Sequence, residues 1–132
     1  MRADKTVEAE VMNVLEDFAE AYVKNDEDAL LKLIDPDIVL IGTEKEDRRE
    51  GTEEVVTQME DDWKKYTYVS IEFGWRAVSM HESMAWVATE RTTRKTINEK
   101  DTIVSSRLTA VLKKEDNKWR IMQWHNSVPI LT

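Results

Sequence analysis

Cysteine is absent from all 132 residues, which excludes disulfides, zinc–thiolate sites, iron–sulfur clusters and thiol nucleophiles together. Histidine occurs twice, at positions 81 and 125. His81-Glu82 holds half of the zinc-helix signature but lacks a second His four residues on, so no metal site and no cofactor are expected. No uninterrupted apolar run approaches the ~20 residues of a membrane helix. The opening MRADKTVEAE has no apolar stretch after its Arg, and a cytoplasmic location is expected. With 3 Gly and 2 Pro, sharp turns are few, which favours long helices and long hairpins. Positive charge is scarce as well. There are 19 Lys and Arg against 27 Asp and Glu, a net charge of −8 that repels phosphate backbones and anionic membranes alike.

The charge that is present is uneven. Residues 1–66 carry 20 acidic and 9 basic side chains, residues 67–132 carry 7 and 10. The first half therefore reads as acidic, solvated helix faces, and a ligand bound by the second half is expected to be polar or anionic. Val7, Val11, Val14, Leu15, Phe18, Ala21 and Tyr22 recur at three- and four-residue steps and predict one amphipathic helix. Asp26 is a good N-cap for a short second helix carrying Leu30, Leu33 and Ile34, which Pro36 stops. Ile38–Ile41 reads as a short buried strand and the charged stretch 43–50 as a loop. Thr52 is the expected cap of a third helix whose inner face holds Val55 or Val56, Met59 and Trp63.

From Tyr68 onward the period changes to two. Val69, Ile71, Phe73, Trp75 and Ala77 alternate with smaller or polar residues, and strands are expected over 84–93, 102–113 and 118–128. Three helices with one short strand among them, followed by an antiparallel meander, predict a single α+β domain over residues 1–132. Its helices should pack on one face of a curved, mainly antiparallel sheet.

That order resembles the SnoaL-like families of the nuclear transport factor 2-like, or cystatin-like cone, superfamily. The resemblance is carried by VLEDFAEAYVKND, DPDIVLIG, REGTEEV and SRLTAVLKKEDNKWRIMQWHNSVP. The spacing of Trp119, His125, Ser127 and Pro129 is also similar to the end of the calcium/calmodulin-dependent protein kinase II association domain. The fold hosts enzymes and assembly modules, so it does not fix a function. Steroid isomerases of the superfamily place a Tyr on the first helix, an Asp base after the first strand and a second Asp in the penultimate strand. The corresponding positions here are Phe18, about Gly42 and near Thr109. None can do that chemistry, and steroid isomerisation of that type is not expected.

A three-residue turn at 115–117 would set Arg107 opposite His125 and Thr109 opposite Gln123, with Ser127 on the same face. That makes a polar mouth above apolar Val111, Ile121 and Trp119, the gradient of a ligand cone. His125 is then the candidate acid/base and Arg107 the candidate oxyanion holder, with Tyr22, Trp63, Thr109, Gln123 and Ser127 as candidate ligand contacts. The same group also suits a hydrogen-bond network that seals the sheet or meets a partner. Glu72 and Glu90 fall on strand faces as candidate carboxylates. Leu108, Ala110, Met122 and Trp124 fall on the opposite face, where an exposed apolar surface predicts a homodimer. Two functions compete: a small-molecule-binding cone with proton-transfer chemistry, and a non-catalytic assembly module.

Overall fold

The computed structural model describes residues 1–130, so the end of the single domain expected over 1–132 lies outside the described residues. Helix α1 spans Lys5–Val23 and α2 spans Glu27–Leu31. Strands β1 (Ile34–Ile41) and β2 (Arg48–Glu50) precede helix α3 (Gly51–Lys65). Four long strands follow: β3 (Tyr68–His81), β4 (Met84–Ile97), β5 (Lys100–Glu115) and β6 (Lys118–Ser127). They form one six-stranded sheet in the order β2-β1-β6-β5-β4-β3, antiparallel except for the parallel β1–β6 pair. The chain is thus α+β, with the three helices packed on one side of a curved sheet.

Local chemistry explains most of the boundaries. Asp4 caps α1 by accepting from the Val7 amide at 2.9 Å, and Asp26 caps α2 through the Ala29 amide at 3.1 Å. Thr52 does not cap α3. Gly51 turns into the helix with φ 84°, which favours glycine, and the Glu50 amide donates to the Glu54 carboxylate at 3.0 Å. The second helix is shorter than expected, because Ile34 already begins β1 and pairs with Ile121. Part of the charged stretch 43–50 is strand β2, which pairs with β1 through Arg49 and Leu40. The core joins Val11, Leu15 and Phe18 of α1 to Val55 of α3 and to Val87, Leu108, Leu112 and Ile121 of the sheet.

Two bulges shape the sheet and decide which side chains face the helices. Gly74 and Trp75 of β3 oppose a single residue of β4, between the pairs Phe73↔Arg91 and Arg76↔Thr89. The freed Trp75 carbonyl accepts the Thr89 hydroxyl at 2.7 Å. The expected alternation through Phe73, Trp75 and Ala77 is therefore broken: Trp75 is 58% exposed, whereas Val78 is buried. In β6 the extra residue is Met122, between Leu112↔Ile121 and Val111↔Gln123. Trp119 and Ile121 point inward before it, Trp124 and Asn126 after it.

The turn before β6 and this second bulge together invert the expected faces. Asp116 and Asn117, both with positive φ, form a two-residue turn instead of three, so Glu115 pairs with Lys118. The one-residue error and the bulge together leave Thr109 opposite His125 and Arg107 opposite Ser127, two residues from the expected register. The polar residues do share a face, but it is the outer one. Leu108, Ala110 and Trp124, expected outside, are 1–4% exposed beneath the helices, and Met122 is half-buried at the bulge.

Candidate functional site

A cavity of about 90 Å³ lies between the helices and the inner face of the sheet. Its walls come from α1 (Phe18, Ala19, Tyr22), α3 (Gln58, Met59, Asp62), the end of β1 and the following loop (Leu40, Gly42, Thr43, Asp47) and the sheet (Ile71, Arg91, Thr93, Lys95, Trp124, Asn126). One end is apolar, where the Phe18 and Trp124 rings meet with centroids 4.8 Å apart. The rest is polar. Arg91, Thr93 and Lys95 follow one another at two-residue steps on the inner face of β4.

Arg91 is the chemical centre of this wall. No carboxylate of the described residues lies within ion-pair distance of it. Its Nη2 donates to the Asn126 side-chain oxygen at 2.7 Å, with the amide oriented so that its nitrogen donates to the Ser106 hydroxyl at 2.9 Å and the Arg107 carbonyl at 3.2 Å. Its Nε is sealed from solvent and has no partner. Desolvation lowers the Arg91 pKa from 12.5 to about 10, against an opposing pull from the Tyr22 phenol. The guanidinium therefore remains a cation at neutral pH, on a half-buried side chain with no carboxylate at ion-pair distance. Such a group is costly unless something negative accompanies it.

Opposite it, the Tyr22 hydroxyl donates to Asp62 Oδ2 at 2.7 Å, and Gln58 Nε2 donates to Asp62 Oδ1 at 3.2 Å. Gln58 and Asp62 stand four residues apart on α3, one turn above the other. Burial, followed by the neighbouring Asp62 carboxylate, pushes the Tyr22 phenol well above its ordinary value, so it stays protonated. Gln58 Oε1 and Thr93 Oγ1 are buried without partners, like Arg91 Nε. Three unpaired polar atoms thus sit within the wall of one cavity, which leaves that wall polar and under-satisfied.

Of the expected site residues, Tyr22 lines the cavity. Trp63 stands just outside, its indole N–H donating to the Tyr22 carbonyl at 2.7 Å. His125, Arg107, Thr109 and Gln123 are exposed on the outer face and Ser127 is half-buried there, so they do not meet the cavity. The two-residue turn sets the face of Arg107 and Thr109, and the Met122 bulge that of Gln123, His125 and Ser127. Glu72 is exposed and does not line the cavity, and Glu90 stands opposite Arg107 in the register of the outer face. Phe18 and Gly42 both line the cavity, but Thr109 does not. The Asp47 carboxylate fills the space that a side chain at Gly42 would occupy, 2.8 Å from the position of its Cβ.

Sequence reasoning missed Arg91, Asn126, Gln58 and Asp62. A signal for Arg91 existed: in AWVATERT it shares the parity of Ala85, Val87 and Thr89, an otherwise apolar or small inward row. Among the described residues no three His, Asp or Glu side chains come together to hold a metal ion. No helix among them is long and apolar enough to cross a membrane.

An α+β sheet with helices on one face and an internal cavity defines the cone class of small domains. The chain belongs to the SnoaL-like domain family, whose sequence profile matches residues 11–131. Its structure is similar to that of a Xanthomonas campestris protein assigned as a calcium/calmodulin-dependent protein kinase II association domain, at 26% identity and TM-score 0.83, covering 93% of this chain and 88% of that one. A nuclear transport factor 2-like protein from Salmonella enterica superposes at TM-score 0.87 with 17% identity over 98% and 96% of the two chains. A type 2 hexachlorocyclohexane dehydrochlorinase superposes at TM-score 0.85 with 12% identity over 96% and 88%. These last two likenesses concern the fold alone. No curated protein sequence matches the chain.

Proposed function

We propose that this protein binds a small anionic organic molecule beneath its helices, with Arg91 as the anchor. The observation that carries this reading is a cationic guanidinium in the cavity wall with no carboxylate within ion-pair distance of it. A planar set of N–H donors suits a carboxylate, and Thr93 and Gln58 line the same cavity. The Tyr22–Asp62 pair gives the cavity a proton donor and a proton acceptor in contact. It takes the acid/base role that His125 was expected to fill, and Arg91 takes the anion-holding role expected of Arg107. A dehydrochlorinase on the same fold is in keeping with proton-transfer chemistry in such a cavity.

The outer face supports the homodimer, through other residues than those expected. Trp75, Trp86 and Ile103 are 58%, 44% and 59% exposed there, an apolar surface that a second copy of the chain would cover. Native mass spectrometry tests both parts, run beside a denatured sample and followed by titration with straight-chain carboxylates of two to eight carbons. The expected result is a dimer whose adduct or added carboxylate is released on denaturation and lost in Arg91→Met. Binding that is indifferent to Arg91→Met, or no binding across the series, would overturn the anion reading. A monomer would overturn the dimer.

A further inference from the structure

The Tyr22–Asp62 hydrogen bond has a second side. Beyond it lies a cleft of about 190 Å³, walled by the same Tyr22 and Asp62 together with Trp63, Tyr66, Tyr68 and Val69. Two of the cavity's polar groups thus form the partition between the cavity and this cleft. A second link runs through Lys95, which lines the cavity and places its ammonium 4.5 Å from the centre of the Tyr66 ring. Besides buried Tyr22, three aromatic side chains converge on the cleft and none of these is fully covered: Trp63 and Tyr66 are half-buried and Tyr68 is 58% exposed. Aromatic faces left open beside a binding cavity are an adhesive surface for a flat or apolar group.

We infer that the cleft is a second subsite of the same binding site, and that the ligand is an anion with a flat aromatic tail. The carboxylate or equivalent lies on Arg91 and the tail passes the Tyr22–Asp62 partition to rest among Trp63, Tyr66 and Tyr68. The inference rests on the anion reading above and adds the other end of the molecule. Arg91 and Lys95 are four residues apart on one strand, about 13 Å along it. The tail must therefore be held off the carboxylate by several bonds, and a bare benzoate is too short. Asp62 adds a selection of its own, since a second negative charge at the partition would be repelled.

The test is calorimetric titration of the full chain with ω-phenylalkanoates, from benzoate to 6-phenylhexanoate, beside unbranched alkanoates of equal carbon number. The expected result is a rise in affinity of about tenfold, the scale of one good aromatic contact, once the linker clears the partition, with no such step in the alkanoate series. Tyr66→Ala and Tyr68→Ala remove side chains outside the core and are expected to abolish the step while leaving butyrate binding unchanged. Circular dichroism melts of both variants check that they fold. If butyrate and 6-phenylhexanoate bind equally, or if the step survives both substitutions, the aromatic subsite is overturned and the anion site stands. If no member of either series binds, the anion reading itself falls.

Discussion

The two faces of one sheet make the useful comparison. The inner face carries Arg91, Thr93 and Asn126 among buried Val87, Leu108, Leu112 and Trp124. The outer face carries Arg107, Thr109, Gln123 and His125 beside exposed Trp86 and Ile103. Each face holds an arginine and a tryptophan, so composition does not separate them. What separates them is environment. Glu90 stands opposite Arg107 in water, whereas Arg91, one residue from Glu90, is desolvated with an amide oxygen for company. A charge in water asks for little; a partly buried charge without an ion-pair partner is where an anionic ligand would be stabilised most.

The comparison breaks if inner and outer positions respond alike to substitution. Leu108→Ala is expected to cost about 3 kcal/mol of stability by opening a cavity, and adjacent Thr109→Ala to stay within about 0.5 kcal/mol, as urea denaturation would show. Trp86→Glu places two charges in the proposed dimer contact and is expected to weaken association by about 2 kcal/mol, read by sedimentation equilibrium with the fold intact. The pH profile sharpens the contrast. Arg91 is protonated below its lowered pKa of about 10 and neutral above it, so carboxylate affinity is expected to be flat from pH 6 to 9. Above about pH 10 it should then fall by about tenfold per unit, as calorimetry would show. The smallest effect concerns neither face: Asp26→Ala removes the cap of α2 and should cost about 1 kcal/mol in a thermal melt.

Much of the architecture was legible in the sequence. The α1 stripe appears as the buried row Val11, Leu15, Phe18 and Tyr22, because a 3.6-residue period needs no tertiary information. Asp26 caps α2 as its chemistry suggests. The faces of β5 and β6 were not legible, since a bulge is set by how a strand must curve over its neighbours. Met122 carries no glycine-like mark of an extra residue. The bulge in β3 does contain Gly74, but alternation on both sides of it is regular and conceals the change of face. Strand β2 escaped notice because its three charged residues owe their extended form to pairing with β1, a long-range contact. The site followed the faces. Tyr22 is legible from its helix and Arg91 from the parity of β4, whereas Asn126 faces inward only because of the Met122 bulge.

The question of which face binds is settled most directly by locating a bound anion. Crystals soaked in 4-iodobutyrate, with data collected for the anomalous signal of iodine, would show it. The expected result is a carboxylate against the Arg91 guanidinium and Thr93, with iodine inside the cavity, and no site in crystals of Arg91→Met. That variant is expected to melt no lower than the wild type, because it removes an unpaired charge from the interior. An iodine site on the outer face beside Arg107 and His125, with the cavity empty, would contradict the account and restore those two residues as the functional pair.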